Sequence, residues 1–381
     1  MNNKTIKAAI VGTGFIGRQH YEAIRRLPNT EIIAIVESNP DTAKSFANTY
    51  GIKNYMTNYE DLFKLEDLDV VHICTPNALH FPMAKLALEN NVNVFCEKPL
   101  SLTAEESRIL VDIAKDKDVF HAVNLNYRSN VMVREMKARI SNKSIGDVLM
   151  VKGEYIQDWL MYQTDYDWHF DPKLVGASRT VADIGTHLFD LVQFITGKDI
   201  VSIYANLITV YPTRIKREQT GTTFAQTYTG KAENVEVVNE DAAMIIAKLS
   251  DGTYVSMNLS QVTGGYKNGI SLVISGSKES LTWNQETSDK LMIGKRDTGN
   301  EILYADQKYV EKDLSRFINL PNGHAVGWAD AFKNSLGEFY LRLNGTVDNS
   351  DSYVDFEKGH QLMKLVEASV LSSKENRWVD L

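Results

Sequence analysis

Two cysteines, Cys74 and Cys96, are all that the 381 residues contain, so no disulfide framework is available. No apolar stretch approaches the ~20 residues needed to span a bilayer. A basic block is missing too. The chain has 41 Lys plus Arg against 49 Asp plus Glu, a formal net charge of −8, which suits neither nucleic acid nor an anionic membrane surface. The opening MNNKTIKAAIVG lacks the apolar core and cleavage site of a secretory signal. Neither an internal repeat nor a low-complexity tract occurs. The expectation by exclusion is a reduced, cytoplasmic, soluble protein.

What is present is ordinary in bulk: 43% hydrophobic and 24% charged residues, the balance of a globular chain long enough for two domains. β-branched runs at Ile6–Gly12 and Glu31–Glu37 flank a helical stretch, Phe15–Leu27. Short apolar runs at Asp69–Pro76, Asn93–Pro99 and Val119–Leu125 alternate with helical patterns at Ala78–Asn90 and Thr103–Lys115. Strands without polar alternation, separated by helices, predict a doubly wound parallel sheet covered on both faces, spanning residues 1–125.

Beyond Tyr127 the rhythm changes. Helical patterns at Asn130–Ile140 and Ile184–Ile195 are followed by strand-like runs at Val201–Val210, Ala242–Leu249, Tyr254–Val262 and Ile270–Ser275. Ser250-Asp251-Gly252-Thr253 reads as a hairpin turn. Helices at Gly327–Leu343 and Asp355–Ser372 close the chain. Residues 126–381 therefore read as an α+β domain, with Lys216–Asn234 as an exposed polar loop.

Gly12-Thr13-Gly14-Phe15-Ile16-Gly17 fits G-x-G-x-x-G, following a strand and opening a helix. Glu37 ends the next strand, twenty residues beyond Gly17. In that context the pattern predicts a dinucleotide site. Gly12 makes the tight turn, Gly14 admits the pyrophosphate, and Gly17 permits close helix–strand packing. Glu37 can accept from both ribose hydroxyls and would repel a 2′-phosphate, which favours NAD over NADP.

Two further groups carry chemistry. Glu97-Lys98-Pro99 leaves a strand end, where ligands of open α/β sheets bind. Sequestered beside a cationic nicotinamide, Lys98 is expected to have its ammonium form disfavoured; otherwise it is a solvated charge. In Ala182-Asp183-Ile184-Gly185-Thr186-His187-Leu188-Phe189-Asp190, Asp183 and His187 are spaced i, i+4 and share a helix face, with Asp190 one turn on. A carboxylate beside an imidazole raises its basicity, as a general base requires. Asp183 reads equally as an N-cap, and His187 as a core histidine.

His72, Cys74, His80, Cys96 and His121 lack metal-ligand spacing, and no metal is expected. The stretch Tyr155–Pro172, with Gln157, Trp159, Tyr162, Tyr166 and Trp168, has the composition of a carbohydrate-contacting surface or of an aromatic packed loop.

Taken together, GTGFIG at 12–17, TPNALH at 75–80, CEKPL at 96–100, NYR at 126–128 and ADIGTHLFDLVQFITG at 182–197 resemble the glucose–fructose oxidoreductase / inositol dehydrogenase / rhizopine catabolism (Gfo/Idh/MocA) family. The resemblance runs from the N-terminus to Arg377-Trp378-Val379. It implies a Rossmann domain followed by an α+β domain with a large, mostly antiparallel open-faced sheet, a homodimer or homotetramer, and oxidation of a secondary hydroxyl of a sugar, polyol or related compound. It further implies that the family's lysine is Lys98 and its acid–histidine pair Asp183 and His187. Cofactor contacts would come from Thr75, Pro76, Asn77, His80, Glu97, Asn126 and Trp168, and substrate contacts from Tyr127, Gln157, Trp159 and His324. Two departures are visible. His169 stands where many relatives carry arginine, and only Gly176-Ala177-Ser178 remains of a glycine run before Asp183.

The expected activity is an NAD-dependent dehydrogenase acting on a small carbohydrate. His187 takes the hydroxyl proton, Lys98 steadies the alkoxide, and Asp183 orients one of them. The alternatives are an NAD-cycling glycosidase or lyase and a non-catalytic NAD-binding sensor.

Overall fold

The structure, a computed structural model, describes residues 4–222, 225–321, 323–346 and 353–381. The first part runs β1 (Ile6–Val11), α1 (Phe15–Ile24), β2 (Thr30–Val36), α2 (Pro40–Tyr50), β3 (Asn54–Met56), β4 (Val70–Ile73), α3 (His80–Glu89), β5 (Asn93–Cys96), α4 (Ala104–Lys117) and β6 (His121–Val123). Its six strands lie in the order β3-β2-β1-β4-β5-β6, all parallel. This is the expected doubly wound sheet. The strand order reverses between β1 and β4, which opens a crevice beyond their carboxyl ends. Helix α2 is hard to foresee because its apolar face is short, but its start is plain: Asn39 caps Asp41 and Thr42, and Pro40 follows at the first helical position.

The second part runs α5 (Val131–Ser141), β7 (Val148–Ile156), α6 (Pro172–Val175), α7 (Thr186–Thr196), β8 (Ile200–Ile208), β9 (Thr213–Thr222), β10 (Ala225–Glu236), β11 (Ala242–Leu249), β12 (Tyr254–Ser260), β13 (Gly269–Gly276), β14 (Glu279–Asn284), β15 (Lys290–Lys295), β16 (Glu301–Tyr304), α8 (Trp328–Leu343), α9 (Phe356–Glu375) and β17 (Val379–Asp380). Nine of these strands form one sheet, ordered β16-β15-β14-β13-β7-β12-β11-β8-β17. Its β7–β12 pair runs parallel and its other pairs antiparallel.

Along β11, Ala243, Ile245, Ala247 and Leu249 face a core shared with α7 and α9. Met244 and Ile246 between them are 60% and 45% exposed. Helix α8 turns back to the first part, where Phe332, Leu336, Phe339 and Tyr340 pack into the core beneath β1 and α1.

One expectation is overturned. Within the expected loop 216–234, the described residues 216–222 and 225–234 belong to β9 and β10, which pair antiparallel as a two-stranded ribbon. Its threonines, Ile215, Tyr228 and Val235 supply β propensity, but no apolar face alternates along it to signal strands. Strands β14 to β16 also go beyond what the sequence pattern predicts. Among the described residues, no helix is long and apolar enough to cross a membrane.

Candidate active site

A cleft of about 610 Å³ lies beyond the carboxyl ends of β1, β4 and β5 and is walled on its far side by β7, α7 and α8. That size suits a small ligand or cofactor. The glycine-rich turn at its mouth is built as its spacing implies. Gly12 has φ +88°, and a Cβ there would fall 2.6 Å from Cys74 O. A Cβ on Gly17 would sit 2.0 Å from Gly12 O, whereas one on Gly14 would meet no protein atom within 4 Å. The fold therefore demands the outer glycines, and the middle one faces open cleft. Helix α1 begins at Gly14 without a side-chain cap, so its first amides are left to bind an anion.

Glu37 accepts from Thr13 Oγ1 (2.8 Å), Thr13 N (3.2 Å) and Ser38 Oγ (3.1 Å). Burial pushes its carboxyl pKa up, but these donors outweigh burial and hold it below the usual range. An uncapped helix start, open space at Gly14 and a fixed carboxylate at the next strand end together fit a dinucleotide.

At the other end of the cleft stand Lys98, Asp183 and His187. Asp183 lies in a π-helical turn, Val181–Gly185, that leads into α7; it is not an N-cap. Its Oδ1 pairs with Lys98 Nζ, and its Oδ2 accepts from Gln261 Nε2 at 2.7 Å. Gln261 is gripped in turn by Arg179 Nη1 (2.5 Å) and Thr180 Oγ1 (3.1 Å). Arg179 and Arg214 both donate to Asp241 Oδ1, at 2.5 and 2.7 Å, with the Phe170 ring against each guanidinium. The carboxylate is thus locked by a fully buried polar network.

Burial alone would raise the Asp183 carboxyl pKa, but Lys98 and His169 nearby drive it down to about 2. Burial likewise pulls Lys98 down, and the Asp183 charge more than reverses it, so the ammonium is favoured. This corrects the expectation that Lys98 loses its proton easily. Asp183 also orients the lysine rather than the histidine, since it makes no hydrogen bond to His187. His187 Nδ1 has no partner among the described residues. The His187 ring stands edge-on to Tyr127, centroids 4.8 Å apart. Burial and the Lys98 charge lower its pKa to about 3, leaving a neutral imidazole at neutral pH.

Around this pair the wall is aromatic. The Tyr127 and Tyr155 hydroxyls share Asn268 Oδ1 at 3.0 and 2.6 Å. Trp168 stacks on His169 at 3.7 Å, and Trp159 meets the same ring edge-on at 5.1 Å. His169 Nδ1 is tied to Asp167 at 2.9 Å, and Trp159 Nε1 donates to Gln157 Oε1 at 3.2 Å.

The cleft gathers Gly12, Gly14, Phe15, Ile16, Glu37, Thr75, Pro76, Asn77, Glu97, Lys98, Asn126, Tyr127, Gln157, Trp159, Trp168, Asp183 and His187. Three expected residues do not line it. Gly17 acts through packing. His80 bridges Pro99 O (2.6 Å) and Thr75 O (2.8 Å), which ties two cleft loops together from behind. His324 is exposed, its Nδ1 set 3.1 Å from Pro321 O. Asp190 forms a buried ion pair with Arg128, away from the cleft.

Sequence reasoning missed Thr13, Gln261, Asn268 and Trp328 as site residues, and took Tyr155 only as the start of the aromatic stretch. Gln261 and Asn268 sit just outside strands β12 and β13, where nothing in the local pattern marks them. Among the described residues no group of three or more His, Cys, Asp or Glu could hold a metal. Cys74 and Cys96 are buried thiols.

Comparison with known proteins places this geometry in context. Residues 6–125 match the model of the oxidoreductase family with an NAD-binding Rossmann fold, and residues 133–282 match the GFO/IDH/MocA C-terminal domain. The chain is 27% identical to levoglucosan dehydrogenase of Pseudarthrobacter phenanthrenivorans, covering 99% of this chain and 98% of that protein. It is 25% identical to glucose-6-phosphate 3-dehydrogenase of Bacillus subtilis, covering 95% and 94%. A solved levoglucosan dehydrogenase in complex with NADH and L-sorbose superposes with a TM-score of 0.87 at 26% identity, over 99% of each chain. A Kribbella flavida oxidoreductase domain protein gives 0.89 at 25% identity, again over 99% of each. The chain belongs to the Gfo/Idh/MocA family of NAD-binding oxidoreductases.

Proposed function

We propose that the protein is a dehydrogenase that oxidises a secondary hydroxyl of a neutral sugar, polyol or glycoside. The observation that carries this reading is the meeting of Lys98, Asp183 and His187 in the same cleft as the dinucleotide cradle. Bound NAD supplies the hydride acceptor. The Lys98 ammonium, aimed by Asp183, donates to the carbinol oxygen and stabilises negative charge as it develops there. Neutral His187 receives the hydroxyl proton. Tyr127, Tyr155, Gln157, Trp159 and Trp168 hold the ring, with flat faces against C–H surfaces and polar tips toward hydroxyls.

A neutral substrate is favoured by the charges present. Among the described residues lining the cleft, Lys98 is the one lysine and none is arginine; Lys98 is already engaged by Asp183, so a substrate phosphate would find no free lysine or arginine there. On the same reading residues 1–125 bind the dinucleotide and 126–381 shape the substrate wall. The outer face of the nine-stranded sheet, with Met244, Ile246 and Tyr254 at 60%, 45% and 52% exposure, supports assembly into a homodimer or homotetramer; the cytoplasm is the proposed location.

The test is NADH formation with a panel of pyranoses, anhydrosugars, inositols and sugar phosphates. A neutral member should reduce NAD, with sugar phosphates poorer. Turnover of sugar phosphates alone would overturn the substrate reading. Glycoside cleavage without net NADH would favour the cycling enzyme.

A further inference from the structure

Behind the cleft runs a buried chain of groups that the mechanism above does not use. Tyr340 Oη on α8 lies 2.8 Å from His72 Nε2 on β4. His72 Nδ1 lies 2.9 Å from His20 Nδ1 on α1, and His20 Nε2 lies 2.9 Å from Glu97 Oε1 at the cleft wall. Each of the four is buried, the two histidines completely. Glu97 Oε1 also accepts from Asn124 Nδ2 at 2.6 Å, and its Oε2 accepts from the Lys98 amide at 3.2 Å.

These contacts give the chain a direction. A carboxylate only accepts, so His20 donates through Nε2. With neutral rings its Nδ1 must then accept, which requires His72 to donate from Nδ1 and to accept from the Tyr340 hydroxyl at Nε2. Burial keeps the His72 ring neutral and the Tyr340 phenol protonated. Every donor in the chain points toward Glu97. Lys98 faces two carboxylates here, Asp183 and Glu97, so with neutral imidazoles this end of the cleft carries a net negative charge.

We propose that Tyr340, His72 and His20 are positioning residues that fix Glu97 as a buried anion, so that the site binds the oxidised dinucleotide, whose nicotinamide is cationic, in preference to the reduced one. This rests on the reading of the cleft as the dinucleotide site. The physical basis is differential: a fixed anion attracts the cationic ring and is indifferent to the neutral one.

The experiment measures the Kd of NAD+ and of NADH separately, by quenching of tryptophan fluorescence, in the wild-type protein, Glu97→Gln and Tyr340→Phe. Glu97→Gln should raise the ratio of the NAD+ Kd to the NADH Kd about tenfold, with a cooperative thermal melt as the check on folding. Tyr340→Phe, which deletes one hydroxyl, should move the ratio the same way by about two- to threefold. Equal losses for both forms, or an unchanged ratio, would show the chain to be structural only and overturn the proposal. Nitrogen-15 spectra of the histidines give a check without cofactor: His72 should carry its proton on Nδ1, and finding it on Nε2 contradicts a relay of donors that points toward Glu97. Failure of the wild-type protein to bind either form would instead remove the cofactor reading, and this inference with it.

Discussion

Replacing Asp183 by asparagine preserves the shape of the side chain and its hydrogen bond from Gln261 but deletes the charge that holds Lys98. The worth of that charge can be read from its own titration. Burial pushes the Asp183 carboxyl up, yet the net movement is from the ordinary 3.8 to about 2. At ~1.4 kcal/mol per unit this is roughly 2 kcal/mol of net preference for the charged partner. Both side chains are about one-fifth exposed, so screening is limited. Because the interaction is mutual, Asp183→Asn leaves Lys98 with burial as its dominant influence, and its pKa falls. An aimed ammonium is then lost from the oxyanion position. We expect kcat/KM to fall by about 10²-fold, the scale of removing one such donor, with NAD affinity within about threefold of wild type. A substrate-free assay is pH-dependent labelling of Lys98 with an amine reagent, read by mass spectrometry. Lys98 should react slowly in the wild type and faster in Asp183→Asn at the same pH. Equal labelling and unchanged kcat/KM would refute the claim that Asp183 holds the lysine charged.

Other outcomes follow from the same geometry. Gly17→Ala must force its Cβ, 2.0 Å from Gly12 O, into backbone, and should cost about 1–3 kcal/mol in a thermal melt. Gly14→Ala meets open space, so it should melt as wild type yet lose NAD at least tenfold; parallel losses in both variants would sink that distinction. Glu37→Gln removes the carboxylate that repels a 2′-phosphate and should shift the NADP/NAD affinity ratio at least about tenfold toward NADP. An unmoved ratio would take Glu37 out of ribose recognition. The folded His187 takes up its proton only near pH 3, against an ordinary 6.5. The unfolded chain takes it up earlier, so His187 contributes stability that is full above pH 6.5 and lost as pH falls toward 3. In His187→Gln, urea unfolding should therefore lose up to ~1.4 kcal/mol per pH unit of that slope. An identical slope would mean the imidazole is not held neutral.

The first half of the chain is legible because its signals are local. Gly12, Gly14, Gly17 and Glu37 each act within one strand–turn–helix unit, and unbroken apolar runs such as Ile32–Val36 announce a sheet covered on both faces. Lys98, Asp183 and His187 are legible as candidates by residue type and placement. Their pairing is not, because whether Asp183 turns to the lysine or the histidine is decided by Gln261, a residue 78 positions away. The charge state of Lys98 escapes the sequence for the same reason, since burial and Asp183 oppose each other and only distance shows which wins. The ribbon of β9 and β10 is hidden because its strands carry no apolar alternation, and β pairing across a polar stretch leaves no period to read. His324 and Asp190 show the converse. Each is chemically suited to the cleft, but one lies on an exposed turn and the other is claimed by Arg128.

The central claim is that Lys98 and His187 carry out NAD-dependent oxidation of a neutral carbohydrate hydroxyl in this cleft. Its most direct test is the accumulation of NADH, followed by absorbance, with a neutral sugar or polyol and the wild-type, Lys98→Met and His187→Gln proteins. The account expects NADH equivalent to substrate consumed by the wild type, and rates at least about 10²-fold lower in both variants with NAD still bound. Wild-type rates in either variant, or substrate consumed with no NADH released, would contradict it.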